Sequence, residues 1–149
     1  MKKIFLWEPS FESANKSDFI NDVVNYLFKE KLICNREKIE DAINYREKLN
    51  NTIIDHNLAA PHIQNANVKQ AILLFIKLRP GEYIKDWSEN NIKVDRFIFT
   101  LIPEKCRLQD LQSLKNFYIH LSKENVIRLF CQGERTKIRD LLLREEDWL

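Results

Sequence analysis

Ala71-Ile72-Leu73-Leu74-Phe75-Ile76 is the stretch on which the fold turns. It is apolar without a break, as a strand reads when both of its faces are buried. The run continues to Leu78 and stops at Pro80-Gly81. A second strand follows between Val94 and Ile102. There Phe97, Phe99 and Leu101 alternate with Arg96, Ile98 and Thr100, and Pro103 closes the run. Residues 3–7 read as a further short strand, and Leu58-Ala59-Ala60 as a buried one ending at Pro61.

Outside these strands the apolar spacing changes to the helical period. Phe19, Ile20, Val23, Val24, Leu27 and Phe28 share one face, with Asn15 or Ser17 available as the cap and Asp18 in the first turn. A second helix begins after Asn35, carries Ile39, Ala42 and Ile43 inward, and ends near Lys48–Asn51. The last third is helical. Its stripes are Leu108, Leu111, Leu114, Tyr118 and Leu121, then Val126, Ile127 and Phe130, then Ile138, Leu141 and Leu142, with Gly133 in a C-cap position. Helices around a few central strands predict an α/β fold in one domain spanning residues 1–149.

Composition removes several function classes. The chain has two glycines, Gly81 and Gly133, which excludes a glycine-rich phosphate loop or dinucleotide fingerprint. Net charge is +2 with no dense basic run, so nucleic acid is not an expected partner. Cys34, Cys106 and Cys131 are odd in number and lack a Cys-x-x-Cys pair, which argues against a disulfide framework or zinc site and fits a reducing cytoplasm. The apolar run before Glu8 is too short for a signal peptide, and no stretch is long enough to enter a membrane.

Three histidines invite chemistry. His120 lies within a helical pattern, where a helix-side imidazole is the ordinary reading. His56 sits in a polar loop after Asp55. His62 follows Pro61 at the end of a short apolar run, where proline fixes the approach of the chain. His56, His62 and Asp55 fall within one short loop, without zinc spacing, so no metal is expected.

The wider pattern around His62 is more specific. Arg46-Glu47-Lys48-Leu49-Asn50-Asn51-Thr52 is followed by Ile53 to Asn57 and then by Leu58-Ala59-Ala60-Pro61-His62. This resembles the signature of the fructose/mannitol-type enzyme IIA domains of the bacterial phosphoenolpyruvate-dependent sugar phosphotransferase system. The likeness extends from about Phe19 to Leu143. It implies a small mixed sheet flanked by helices. It also implies that Nε2 of His62 accepts a phosphoryl group from the carrier protein HPr and passes it to an enzyme IIB component, with no cofactor. Arg46 would offer its planar fork to the phosphoryl oxygens, and Thr52 a hydroxyl or backbone donor.

The chain departs from the family pattern at two places. Positions that carry glycines in the loop hold Ile53, Asp55 and Asn57 here, so Asp55 and Asn57 are expected to make the turn and Ile53 to change its shape. A second histidine, at the start of the helix after the second strong strand, is replaced by Arg107, which is expected to face the phosphoryl group with fixed positive charge. These departures leave two alternatives open: a regulatory IIA-like module that binds HPr or a transcription regulator and reads phosphorylation rather than feeding a transporter, and a degenerate binding domain that is never phosphorylated.

Overall fold

A computed structural model describes residues 1–144. The elements in chain order are β1 (Lys2–Trp7), α1 (Lys16–Lys29), α2 (Arg36–Leu49), β2 (Ile53–Asp55), β3 (Leu58–Ala59), β4 (His62–Asn65), β5 (Ile72–Lys77), β6 (Arg96–Pro103), α3 (Leu108–Leu121), α4 (Glu124–Gln132) and α5 (Arg135–Leu142). The six strands form one mixed sheet in the order β1-β5-β6-β3-β2, with β4 also on β6. β5 and β6 pair antiparallel at its centre, from Ile72 opposite Leu101 to Lys77 opposite Arg96.

Both faces of these central strands are covered. Ile72, Leu74, Ile76, Phe97, Phe99 and Leu101 pack towards α1 and α2. Ala71, Leu73, Phe75 and Ile98 pack towards α3, α4 and α5. The period-2 pattern thus feeds two cores from one pair of strands. Phe19 of α1 lies 4.4 Å from Phe97, centroid to centroid, within an aromatic group that includes Trp87 and Phe99. Asn15 caps α1 by accepting from the Asp18 N–H, and Asn35 caps α2 by accepting from Lys38.

The stretch between α2 and β5 holds more strand than its sequence suggests. β2 and β3 form an antiparallel hairpin turning at His56 and Asn57. None of Ile53, Asp55 and Asn57 takes a positive φ, so this turn needs no glycine. Asn57 acts through its carboxamide instead, donating to Asp95 and to the Cys131 carbonyl. β4 is too short and too polar on its outer face to show a strand period, yet it pairs parallel with β6 from His62 opposite Thr100 to Asn65 opposite Pro103.

The stripe on α3 also runs differently from the expected one. Asp110, Leu114, Phe117 and Leu121 face inward, a row spaced by four, three and four, while Leu108 is 83% exposed. Position 110 therefore occupies the first inward place on the helix. Its carboxylate is satisfied by the amino group of Met1 at 3.0 Å and by Arg107.

Gly133 does cap α4, but in extended rather than left-handed backbone. Its N–H bonds the Leu129 carbonyl at 2.6 Å, so close that an added Cβ would run into that oxygen and the Leu129 side chain. Gly133→Ala should lower stability by about 1–3 kcal/mol, the scale of overpacking. The check is a fall in the urea midpoint at unchanged slope.

Candidate active site

The site is built where the chain runs beside β6. β3 pairs with β6 at Leu58–Arg96 and Ala59–Phe97, and β4 resumes the same parallel pairing at His62–Thr100. Between them stand Ala60 and Pro61. Pro61 has no N–H to give to a ladder, which breaks the pairing, while its carbonyl still accepts from Thr100 at 2.9 Å. His62 is the first residue after the break, with its side chain exposed.

The imidazole folds back so that Nδ1 lies 3.1 Å from the Ala60 carbonyl oxygen. A carbonyl oxygen only accepts, so Nδ1 carries the proton. In the neutral ring Nε2 then keeps its lone pair and is the nucleophilic nitrogen.

Thr52 and His62 are linked through Ala60, and Arg46 stands at the helix end just before Thr52. Arg46 sits in the last turn of α2 and donates from Nη1 to the Asn50 carbonyl at 2.9 Å. That bond uses one of five N–H donors on the guanidinium. Two residues on, the Thr52 carbonyl accepts the Ala60 N–H at 2.8 Å, which ties the end of α2 to the strand that leads into His62. The Thr52 hydroxyl donates to Glu47 at 2.7 Å. Its proton is thereby committed to the protein.

Glu47, the second residue of the motif, has no role assigned by the sequence pattern. It is 6% exposed, and its second carboxyl oxygen lies 3.8 Å from the Lys16 ammonium. The periodicity carried a signal for this: Ile39, Ile43 and Glu47 are spaced by four along the inner face of α2. Arg46, by contrast, points away from that face and does not pair with Glu47.

Arg107 belongs to a different cluster. It is the residue before α3, its side chain is 71% exposed, and its guanidinium grips Asp110 at 3.1 and 3.3 Å. No hydrogen bond or ion pair joins it to His62. Among the other candidates, His120 is pushed towards the neutral form by burial, with Lys123 and Arg144 adding to the effect. The Cys131 thiol is pushed up to about 11, chiefly by burial, which leaves it unreactive.

A sequence profile for the phosphoenolpyruvate-dependent sugar phosphotransferase system, EIIA 2, matches residues 3–145, almost the whole chain. The chain belongs to the EIIA 2 family. No curated protein matches it by sequence. Solved structures share its fold. The nitrogen regulatory protein IIA-Ntr from Neisseria meningitidis is 21% identical over 94% of this chain and 92% of its own, with a TM-score of 0.67. IIA mannitol from Escherichia coli is 19% identical over 91% and 92%, with a TM-score of 0.60. The enzyme IIA in an E. coli complex with phosphorylated enzyme IIB of the mannitol system is 17% identical over 96% and 100%, with a TM-score of 0.64. As an EIIA 2 member the chain is a phosphotransferase-system component. Among its described residues no helix is long and apolar enough to cross a membrane.

The Asp110 cluster gives a test of Arg107. Burial alone would raise the Asp110 carboxyl, but hydrogen bonds from the Met1 amino group and Arg107 outweigh it and hold the group below its ordinary value. A depressed carboxyl stabilises the fold at neutral pH. That contribution is lost as pH falls below about 3.9, the unfolded value, towards the folded one. Arg107→Ala should move the Asp110 titration upward and weaken the fold above that range. NMR titration of the Asp110 carboxyl carbon checks both the direction and the partner. An unmoved curve would leave Met1 as the sole stabilising charge.

Proposed function

We propose that this EIIA 2 domain is a phosphoryl carrier: Nε2 of His62 takes the group from phospho-HPr and gives it up to an enzyme IIB component in the cytoplasm. The observation that supports this most is the Nδ1–carbonyl contact at an exposed strand end, which leaves Nε2 with its lone pair facing solvent. In the forward step a P–Nε2 bond forms as the donor's bond to phosphorus breaks, and Nδ1 keeps its proton throughout. Loss of the phosphoryl group to a cysteine of enzyme IIB reverses that bond and restores the same tautomer. No cofactor is needed, because transfer of this kind relies on positioning and charge.

Arg46 supplies the charge in this reading. Its remaining donors give a planar fork to the phosphoryl oxygens, while the bond to Asn50 fixes its stem. Thr52 contributes by placing Ala60 rather than through its hydroxyl, whose proton is held by Glu47. Arg107, paired with Asp110, adds charge only at longer range.

A regulatory relay, acting on a transcription regulator, shares the His62 step and is favoured by the likeness to the nitrogen regulatory IIA-Ntr. Onward transfer separates the two. Phosphorylated protein that discharges readily to an enzyme IIB acceptor belongs to transport, and phosphorylated protein that does not is regulatory.

Incubation with phosphoenolpyruvate, enzyme I and HPr should place acid-labile phosphate on the wild type and on His120→Ala, and none on His62→Ala. Label on His62→Ala would defeat the assignment. Arg46→Lys should fold normally and accept phosphate about tenfold more slowly, since a point charge does not reproduce the bidentate fork. An unchanged rate would confine Arg46 to capping the end of α2.

A further inference from the structure

We propose that Glu47 is a positioning residue for His62, fixing the tautomer of the ring through Thr52 and Ala60. Three hydrogen bonds stand in series. The Thr52 hydroxyl donates to Glu47 at 2.7 Å, the Ala60 N–H donates to the Thr52 carbonyl at 2.8 Å, and His62 Nδ1 donates to the Ala60 carbonyl at 3.1 Å. The series starts on a helix, crosses to the strand and ends on the one ring nitrogen that must hold a proton.

Each link limits the next. Glu47 is buried, so its bond to Thr52 is made where little water competes for it. Its other oxygen has no hydrogen bond and lies 3.8 Å from Lys16 Nζ, an ammonium that also donates to the Trp87 carbonyl at 2.9 Å. Glu47 is thus held from the far side as well. Thr52 is buried beside it and cannot turn without leaving a buried carboxyl oxygen unpaired, which is costly. Ala60 precedes a proline and is restricted to extended backbone. With the Ala60 N–H on Thr52 and the Pro61 carbonyl on Thr100, the Ala60 carbonyl between them is fixed in direction.

The chemical consequence falls on His62. A free neutral histidine favours the tautomer with its proton on Nε2, which has no lone pair there to attack phosphorus. A fixed acceptor at Nδ1 reverses that preference. Glu47 need not touch the phosphoryl group to matter, because it decides where the acceptor stands. A Glu47 that only stabilised the fold would leave the tautomer balance alone.

The experiment therefore reads the tautomer directly. Long-range proton–nitrogen correlation spectra of the imidazole rings, recorded at alkaline pH on 15N-labelled protein, should show His62 protonated on Nδ1. Thr52→Val keeps the shape and removes the hydroxyl. It should move the ratio towards Nε2–H by about fivefold, the weight of one net hydrogen bond. Glu47→Met should do the same, and Thr52→Ser and Glu47→Gln, which keep a donor and an acceptor, should restore the wild-type pattern. If Glu47→Met does not fold, Thr52→Val carries the test alone. A folded Thr52→Val with the wild-type His62 pattern would overturn the proposal, and so would a wild-type ring protonated on Nε2. The proposal takes His62 as the acceptor, but the two fail separately. A wild type with no acid-labile phosphate defeats the carrier reading, whereas the tautomer ratio judges Glu47.

Discussion

Pro61 cannot donate a hydrogen bond to β6, and His62 stands at the break that this missing proton leaves in the ladder. Without the break, the chain from Leu58 to Asn65 would be one continuous strand beside β6. With it, the pairing lapses for Ala60 and Pro61 and resumes at His62. The Ala60 carbonyl points away from β6, as its N–H does, and meets the imidazole there, while Thr100 keeps the chain from drifting by holding the Pro61 carbonyl. The His62 side chain is thus mounted on a rigid sheet, not on a long loop, and its orientation is set by backbone atoms.

The buried charges serve the same economy. Glu47, Asp110 and Arg96 each replace an apolar residue on an inward face, and each has a particular partner. Thr52 and Lys16 meet Glu47, Met1 and Arg107 meet Asp110, and the carbonyls of Phe130 and Gly133 meet Arg96. A buried charge without such partners would cost several kcal/mol, so each one fixes the elements it joins. Glu47 joins α1 and α2 to the site, Asp110 joins α3 to the start of β1, and Arg96 joins β6 to the end of α4.

Much of this was legible in the residues. Ala71 to Ile76 and Phe97 to Leu101 announced the centre of the sheet because burial on both faces leaves almost no polar position, Thr100 alone, to confuse the pattern. The helix before the site was equally plain in Phe19 to Leu27. Two short strands were not. β2 has three residues, and β4 has four with His62 and Gln64 facing out, so neither spans enough chain to show a period. The expected stripe through Leu108 and Leu111 misled because α3 fills its first inward place with Asp110, a choice that only the fold's return of Met1 to that point explains. At the site, the motif placed Thr52 and His62 on the same stretch of chain beside Ala60. It did not show that Thr52 would turn its hydroxyl to Glu47, or that Arg107 would spend its guanidinium on Asp110, because both are side-chain choices among near neighbours that residue spacing leaves open.

β1 lies at one edge of the sheet, parallel to β5, with Lys2 opposite Ile72, and α5 packs over it. Every other strand meets a partner much nearer in sequence, so the β5–β6 pair and the β2–β3 hairpin can assemble from local chain at small entropic cost. β1 must instead close a loop that contains α1, α2 and three other strands before it gains a single ladder bond. Its ladder therefore carries the largest loop-closure cost of any pairing in the sheet. The half of the sheet that carries His62 is built without it: β3 and β4 lie on β6, and β1 reaches the sheet through β5.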